Sequence, residues 1–108
     1  GLGVFPGVRR PRVMWTGVAG QTDQLAGLHQ AVEQSMAGLG FAREDRRFTA
    51  HLTLGRFKTA ADPLQVADAI QQFGNFSAGP FEAVSVELFQ STLKPGGPVY
   101  KVISSHAF

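Results

Sequence analysis

Cysteine is absent from this chain of 108 residues. Disulfide staples and thiolate metal sites are therefore excluded, and the chain reads as cytoplasmic, where thiol-free proteins lose nothing. No run of about 18 apolar residues occurs, so no membrane-spanning helix and no membrane partner are expected. Residues 1–20 lack the charged start, continuous apolar core and cleavage site of a secretory leader. There is no low-complexity tract and no repeat of the 20–50-residue kind that builds solenoids. An initiator Met is missing too. The chain opens on Gly1-Leu2-Gly3-Val4-Phe5, apolar and strand-like where termini are usually polar and loose. It therefore reads as a single lobe, residues 1–108, belonging to a longer chain.

Cationic residues are scarce in the second half. Residues 59–108 carry two Lys/Arg against four Asp/Glu, whereas residues 1–58 carry eight against four. The excess gathers in Arg9-Arg10-Pro11-Arg12, in Arg43, Arg46 and Arg47, and in Arg56 and Lys58. Such clusters suit a polyanion such as RNA, although a solvated basic surface looks the same.

Residues 12–19 are rich in β-branched and aromatic side chains and predict a strand. Thr22 can cap a helix running to about Leu39, with Leu25, Leu28, Val32, Met36 and Leu39 on one stripe and Gly40 just past its end. Residues 48–57 alternate with period two and predict a second strand. Asp62-Pro63 supplies a cap and a first-turn proline for a helix through Leu64, Ala67, Ile70 and Phe73, stopped by Gly74. Residues 81–91 predict a third strand with Val84, Val86 and Leu88 on one face. Lys94-Pro95-Gly96-Gly97-Pro98 reads as a turn before a closing strand over 99–104. It has neither the helix nor the Lys-Ser/Thr pair of a phosphate loop. The predicted class is α+β, in the order β-α-β-α-β-β, with two helices on one face of a mostly antiparallel sheet.

The second strand carries the chemistry. Residues two apart in a strand share a face, so His51 and Thr53 project together while Leu52 and Leu54 turn toward the helices and are expected to be buried. A histidine can give or take a proton near neutral pH. A threonine hydroxyl beside it can bind a phosphate oxygen, and Arg56 can neutralise the same phosphate with its forked donors. Arg56 has the wrong parity for that face, and Gly55 is the residue that would let the strand end bend to bring it round. A bare His-x-Thr is a weak signal. The chain's other histidines fit less well. His29 reads as a partly buried helix residue, and His106, near the C-terminus, as a surface or fraying one.

The longer stretch Phe48-Thr49-Ala50-His51-Leu52-Thr53-Leu54-Gly55-Arg56 closely resembles the second His-x-Thr motif of the 2′-5′ RNA ligase, or RNA 2′,3′-cyclic phosphodiesterase, family of two-histidine phosphoesterases. Gly3–Pro6 and Arg9–Trp15 resemble that family's entry into its C-terminal lobe. Leu88–Leu93, Pro95–Pro98 and Tyr100 resemble its final hairpin. The resemblance implies half of a two-lobed fold and a cleft in which each lobe supplies one histidine. It implies hydrolysis of RNA 2′,3′-cyclic phosphate ends to 2′-phosphates by paired acid and base, without metal or cofactor. His51 would be acid or base, with base favoured, and Thr53 and Arg56 would be phosphate ligands. Only one His-x-Thr is present here, so the second would come from a missing N-terminal lobe or a dimer partner. A non-catalytic RNA-end or nucleotide-binding domain, stacking bases on Phe48 or Phe57, and an enzyme acting on small cyclic nucleotides fit the same residues.

Overall fold

The computed structural model describes all 108 residues. It is α+β, as the sequence predicts, with two helices and antiparallel strands in the order β1 (Leu2–Phe5), β2 (Val13–Gly17), α1 (Thr22–Gly38), β3 (His51–Arg56), α2 (Pro63–Gln72), β4 (Ser85–Lys94) and β5 (Gly97–Ala107). No helix is long and apolar enough to cross a membrane. Two compact units divide the chain, Gly1–Ser77 and Ala78–Phe108.

The first unit is built on a three-stranded antiparallel sheet in the order β1-β2-β3. β1 is an addition to the predicted order: the apolar Leu2–Phe5 pairs with β2, Gly3 opposite Trp15 and Phe5 opposite Val13. α1 begins at Thr22 itself, after Gln21, and no side chain caps it. Its end follows the predicted signal. Gly40 takes a φ of +96°, which glycine adopts without a Cβ penalty. The amides of Gly40 and Phe41 reach back to the carbonyls of Ala37 and Met36, both at 3.1 Å, closing the last turn.

α2 starts as its sequence dictates. Asp62 accepts a hydrogen bond from the Leu64 amide at 2.9 Å, and Pro63 stands first in the helix, where its missing N–H costs nothing. Asp62→Ala is expected to lower stability by about 1 kcal/mol, read as a shift in the thermal midpoint. A midpoint unmoved by the substitution would show that the cap carries no weight.

α2 lies against β1, and the buried apolar side chains Val4 and Val66 come from those two elements. The inward phase of α2 is therefore Val66, Ala69 and Ile70, while Leu64 from the predicted stripe is 75% exposed. α1 buries no residue. With α2 set against β1 and no helix over β3, Leu52 and Leu54 are 55% and 56% exposed, not buried as the sequence predicts.

The second unit is one long hairpin. β4 and β5 pair from Ser85 opposite Ala107 to Lys94 opposite Gly97, as a separate two-stranded sheet. The tight turn is Pro95-Gly96, followed by Gly97 at a φ of +122°. β4 starts and ends later than the predicted 81–91, β5 extends beyond the predicted 99–104 at both ends, and one irregularity interrupts the pair between Leu88 and Phe89.

Candidate active site

β3 faces two ways, and its register against β2 decides which side chains share a face. Directly opposed residues of an antiparallel pair lie on the same side of the sheet. Gly17 opposes His51, Trp15 opposes Thr53, and Val13 opposes Arg56. Val13, Trp15 and Gly17 alternate regularly along β2, so their three partners share one face. Between the last two pairs Met14 opposes Gly55, which leaves Leu54 as an extra residue on β3: a β-bulge. Regular alternation would have put Arg56 on the face opposite Thr53. The bulge, not a left-handed Gly55, brings it round, since Gly55 has no positive φ.

Phe5 and Trp15 stand on that same face. Their rings are 5.0 Å apart, and the His51 ring meets Phe5 edge-on at 5.1 Å and 87°, with Trp15 at 6.0 Å. Nδ1 of His51 lies 2.6 Å from the Thr49 carbonyl. A carbonyl can only accept, so Nδ1 donates and the neutral ring keeps its lone pair on Nε2. The imidazole is thus held by two aromatic rings and one hydrogen bond while remaining open to solvent.

Trp15 lies over Gly3, where an added Cβ would stand 2.2 Å from the indole ring. Only glycine leaves room for the ring there. The indole Nε1 is buried with no hydrogen-bond partner, a deficit that usually costs about 1–3 kcal/mol. Trp15→Phe removes that donor and keeps a ring beside His51, so its stability is expected to stay within about 1 kcal/mol of the parent. Trp15→Ala removes the ring contacts too and should cost about 2 kcal/mol or more. Equal losses in the two variants, measured by denaturant unfolding, would contradict this account.

Thr53 and Arg56 are exposed, and neither side chain has a hydrogen-bond or ion-pair partner in the chain. The sole ion pair is elsewhere. Arg46 donates to Glu44 from Nε at 3.0 Å and from Nη2 at 3.1 Å, and holds that carboxyl down at about 2. Arg46 is therefore already matched, which removes one cation from the second basic cluster. His29 is half-buried on α1 and stacked on Phe48, centroids 4.4 Å apart. That stack occupies one face of Phe48. His106 is exposed but not frayed: it lies within β5 opposite Val86, its Nε2 3.3 Å from the Ser104 hydroxyl. The fold gathers no group of three His, Asp or Glu side chains that could hold a metal.

An exposed imidazole, hydroxyl and guanidinium on one strand face is an arrangement suited to a phosphate ester. The chain belongs to the LigT like phosphoesterase family, whose model matches residues 17–100, His51–Arg56 included. Among its relatives are proteins named RNA 2′,3′-cyclic phosphodiesterase. That of Aeropyrum pernix is 37% identical over 103 residues, 95% of this chain and 58% of the relative. That of Archaeoglobus fulgidus is 42% identical over 101 residues, 94% of this chain and 55% of the relative. That of Methanocaldococcus jannaschii is 34% identical over 102 residues, 94% and 57% respectively. The chain spans little more than half the length of the curated relatives it matches.

Proposed function

We propose that this chain is one lobe of a cytoplasmic RNA 2′,3′-cyclic phosphodiesterase and supplies half of its reacting groups. The observation that carries the reading is the common face of His51, Thr53 and Arg56. The names of the relatives support the substrate, a cyclic phosphate at an RNA end. In the reaction, Nε2 of His51 takes a proton from water as the water oxygen attacks phosphorus. The bond from phosphorus to the 3′ oxygen breaks, and that oxygen receives a proton from an acid on the opposite side, leaving a 2′-phosphate and a 3′-hydroxyl. Thr53 donates to a non-bridging oxygen. Arg56 pairs with the charge that grows there.

One histidine cannot stand on both sides of phosphorus in a single in-line step. The family resemblance implies one His-x-Thr from each lobe, and residues 1–108 hold a single one, so the acid comes from a second His-x-Thr, on another lobe or another copy of the chain. The test is a chimera in which residues 1–108 replace the matching part of the Aeropyrum pernix relative. Hydrolysis of a cyclic-phosphate-ended oligonucleotide is expected to persist. A folded chimera that binds the oligonucleotide without opening it would favour the binding-domain reading. In the same chimera Arg56→Ala should cost about 10² in rate, as for other lost transition-state donors, and an unchanged rate would make Arg56 a surface residue.

A further inference from the structure

Just beyond the end of β3 lies an open groove of about 400 Å³, lined on one side by residues 9–12 and on the other by residues 57–61. A volume of that order accommodates a small ligand or a short stretch of a strand. The two walls are tied to the sheet. The Arg12 amide donates to the Phe5 carbonyl at 2.7 Å, and the Phe57 amide donates to the Arg12 carbonyl at 3.0 Å. Four cations line the groove, Arg9, Arg10, Arg12 and Lys58, with no acidic residue among the lining. None of the four is in an ion pair, in contrast to Arg46. Phe57, half-buried, adds an aromatic surface.

The groove adjoins the reacting face directly. Phe57 follows Arg56 in the chain, and Lys58 is two residues from it, a reach of at most about 7 Å between Cα atoms. We propose that this groove holds the backbone of a single RNA strand immediately 5′ to the reacting end. Its cations take the preceding phosphates, and Phe57 offers a stacking surface to a base. The proposal rests on the phosphodiesterase reading and adds to it a preference: an oligonucleotide is held by contacts that a mononucleotide cannot make. Backbone charge and base stacking favour an unpaired strand without reading its sequence.

The experiment measures anisotropy of a 5′-labelled decauridylate ending in a 2′-phosphate, a product end that does not turn over, across a salt series. Each phosphate contact on a single strand contributes about 0.7 to the slope of log affinity against log salt. Arg10→Gln and Lys58→Gln should each reduce that slope by about 0.7 and weaken binding roughly fivefold at 0.1 M salt. Competition by uridine 2′-monophosphate should be unchanged in both, and Arg46→Gln, which removes a cation already paired with Glu44, should change nothing.

Unaltered slopes would overturn the proposal. So would equal weakening of the mononucleotide, which would make the groove part of the reacting site, or a DNA duplex bound with the same dependence on Arg10 and Lys58. Failure of the phosphodiesterase reading shows separately. In that case Thr53→Val and Arg56→Ala leave the preference for a 2′-phosphate end over a 3′-hydroxyl end intact.

Discussion

Replacing His51 by alanine is expected to slow cyclic-phosphate opening by about 10²–10⁴ in the two-lobed chimera, the usual worth of one general acid or base. Binding of the oligonucleotide should survive, because the phosphate contacts proposed for Thr53 and Arg56 do not involve the imidazole. His51→Asn separates positioning from proton transfer. The amide can still donate toward the Thr49 carbonyl, but it cannot take a proton from water, so the rate should fall as far as in the alanine variant. A rate within tenfold of the parent for either substitution would remove His51 from the reaction. Turnover by the isolated chain, proportional to its concentration at high dilution and lost in His51→Ala, would overturn the need for a second histidine.

Two single-residue deletions should give opposite results, although each removes an exposed leucine from β3. Deleting Leu52 makes His51 and Thr53 neighbours, and neighbours in a strand point to opposite faces. The imidazole then leaves the rings of Phe5 and Trp15, and the loss of rate should match that of His51→Ala. Deleting Leu54 removes the extra residue of the bulge. Thr53, Gly55 and Arg56 then pair regularly with Trp15, Met14 and Val13, the partners they already have. His51, Thr53 and Arg56 all stay on one face, so the rate should fall by no more than about tenfold. The comparison is made by steady-state kinetics, with circular dichroism to show that both variants fold. Equal damage from the two deletions would show that the bulge does not set the parity of Arg56.

The bulge also marks how far the sequence could be read. The alternation around His51 and Thr53 predicts their shared face, and Asp62-Pro63 and Gly40 predict helix ends that are found within a residue. These are local signals, written in two to four adjacent side chains. Arg56 could be expected on that face only from its chemistry. The step that turns it there depends on how β3 pairs with β2, and that pairing is set far along the chain. Burial was hardest to read. Alternation says on which side Leu52 and Leu54 lie, but not whether anything covers that side. On α2, a stripe drawn through Leu64 is out of phase with the one that holds Val66, because Ala and Gln around them leave the apolar face poorly marked. β1 is visible as an apolar opening, but its role as Trp15's support rests on Gly3, where the absence of a side chain is the whole signal.

The pairing of Gly17 with His51 spans all of α1 and the segment that follows it, and this fixes an order of assembly. A helix such as α1 forms in about 0.1–1 μs and a hairpin such as β4–β5 in about 1–10 μs, since both rely on neighbours in the chain. The β2–β3 ladder must first close a long loop, losing chain entropy before any contact is made. The face that carries His51, Thr53 and Arg56 is therefore expected to form after α1 and the hairpin, while the packing of α2 on β1 closes a still longer loop. A substitution that weakens the ladder is expected to slow the emergence of that face even where α1 and the hairpin are already in place.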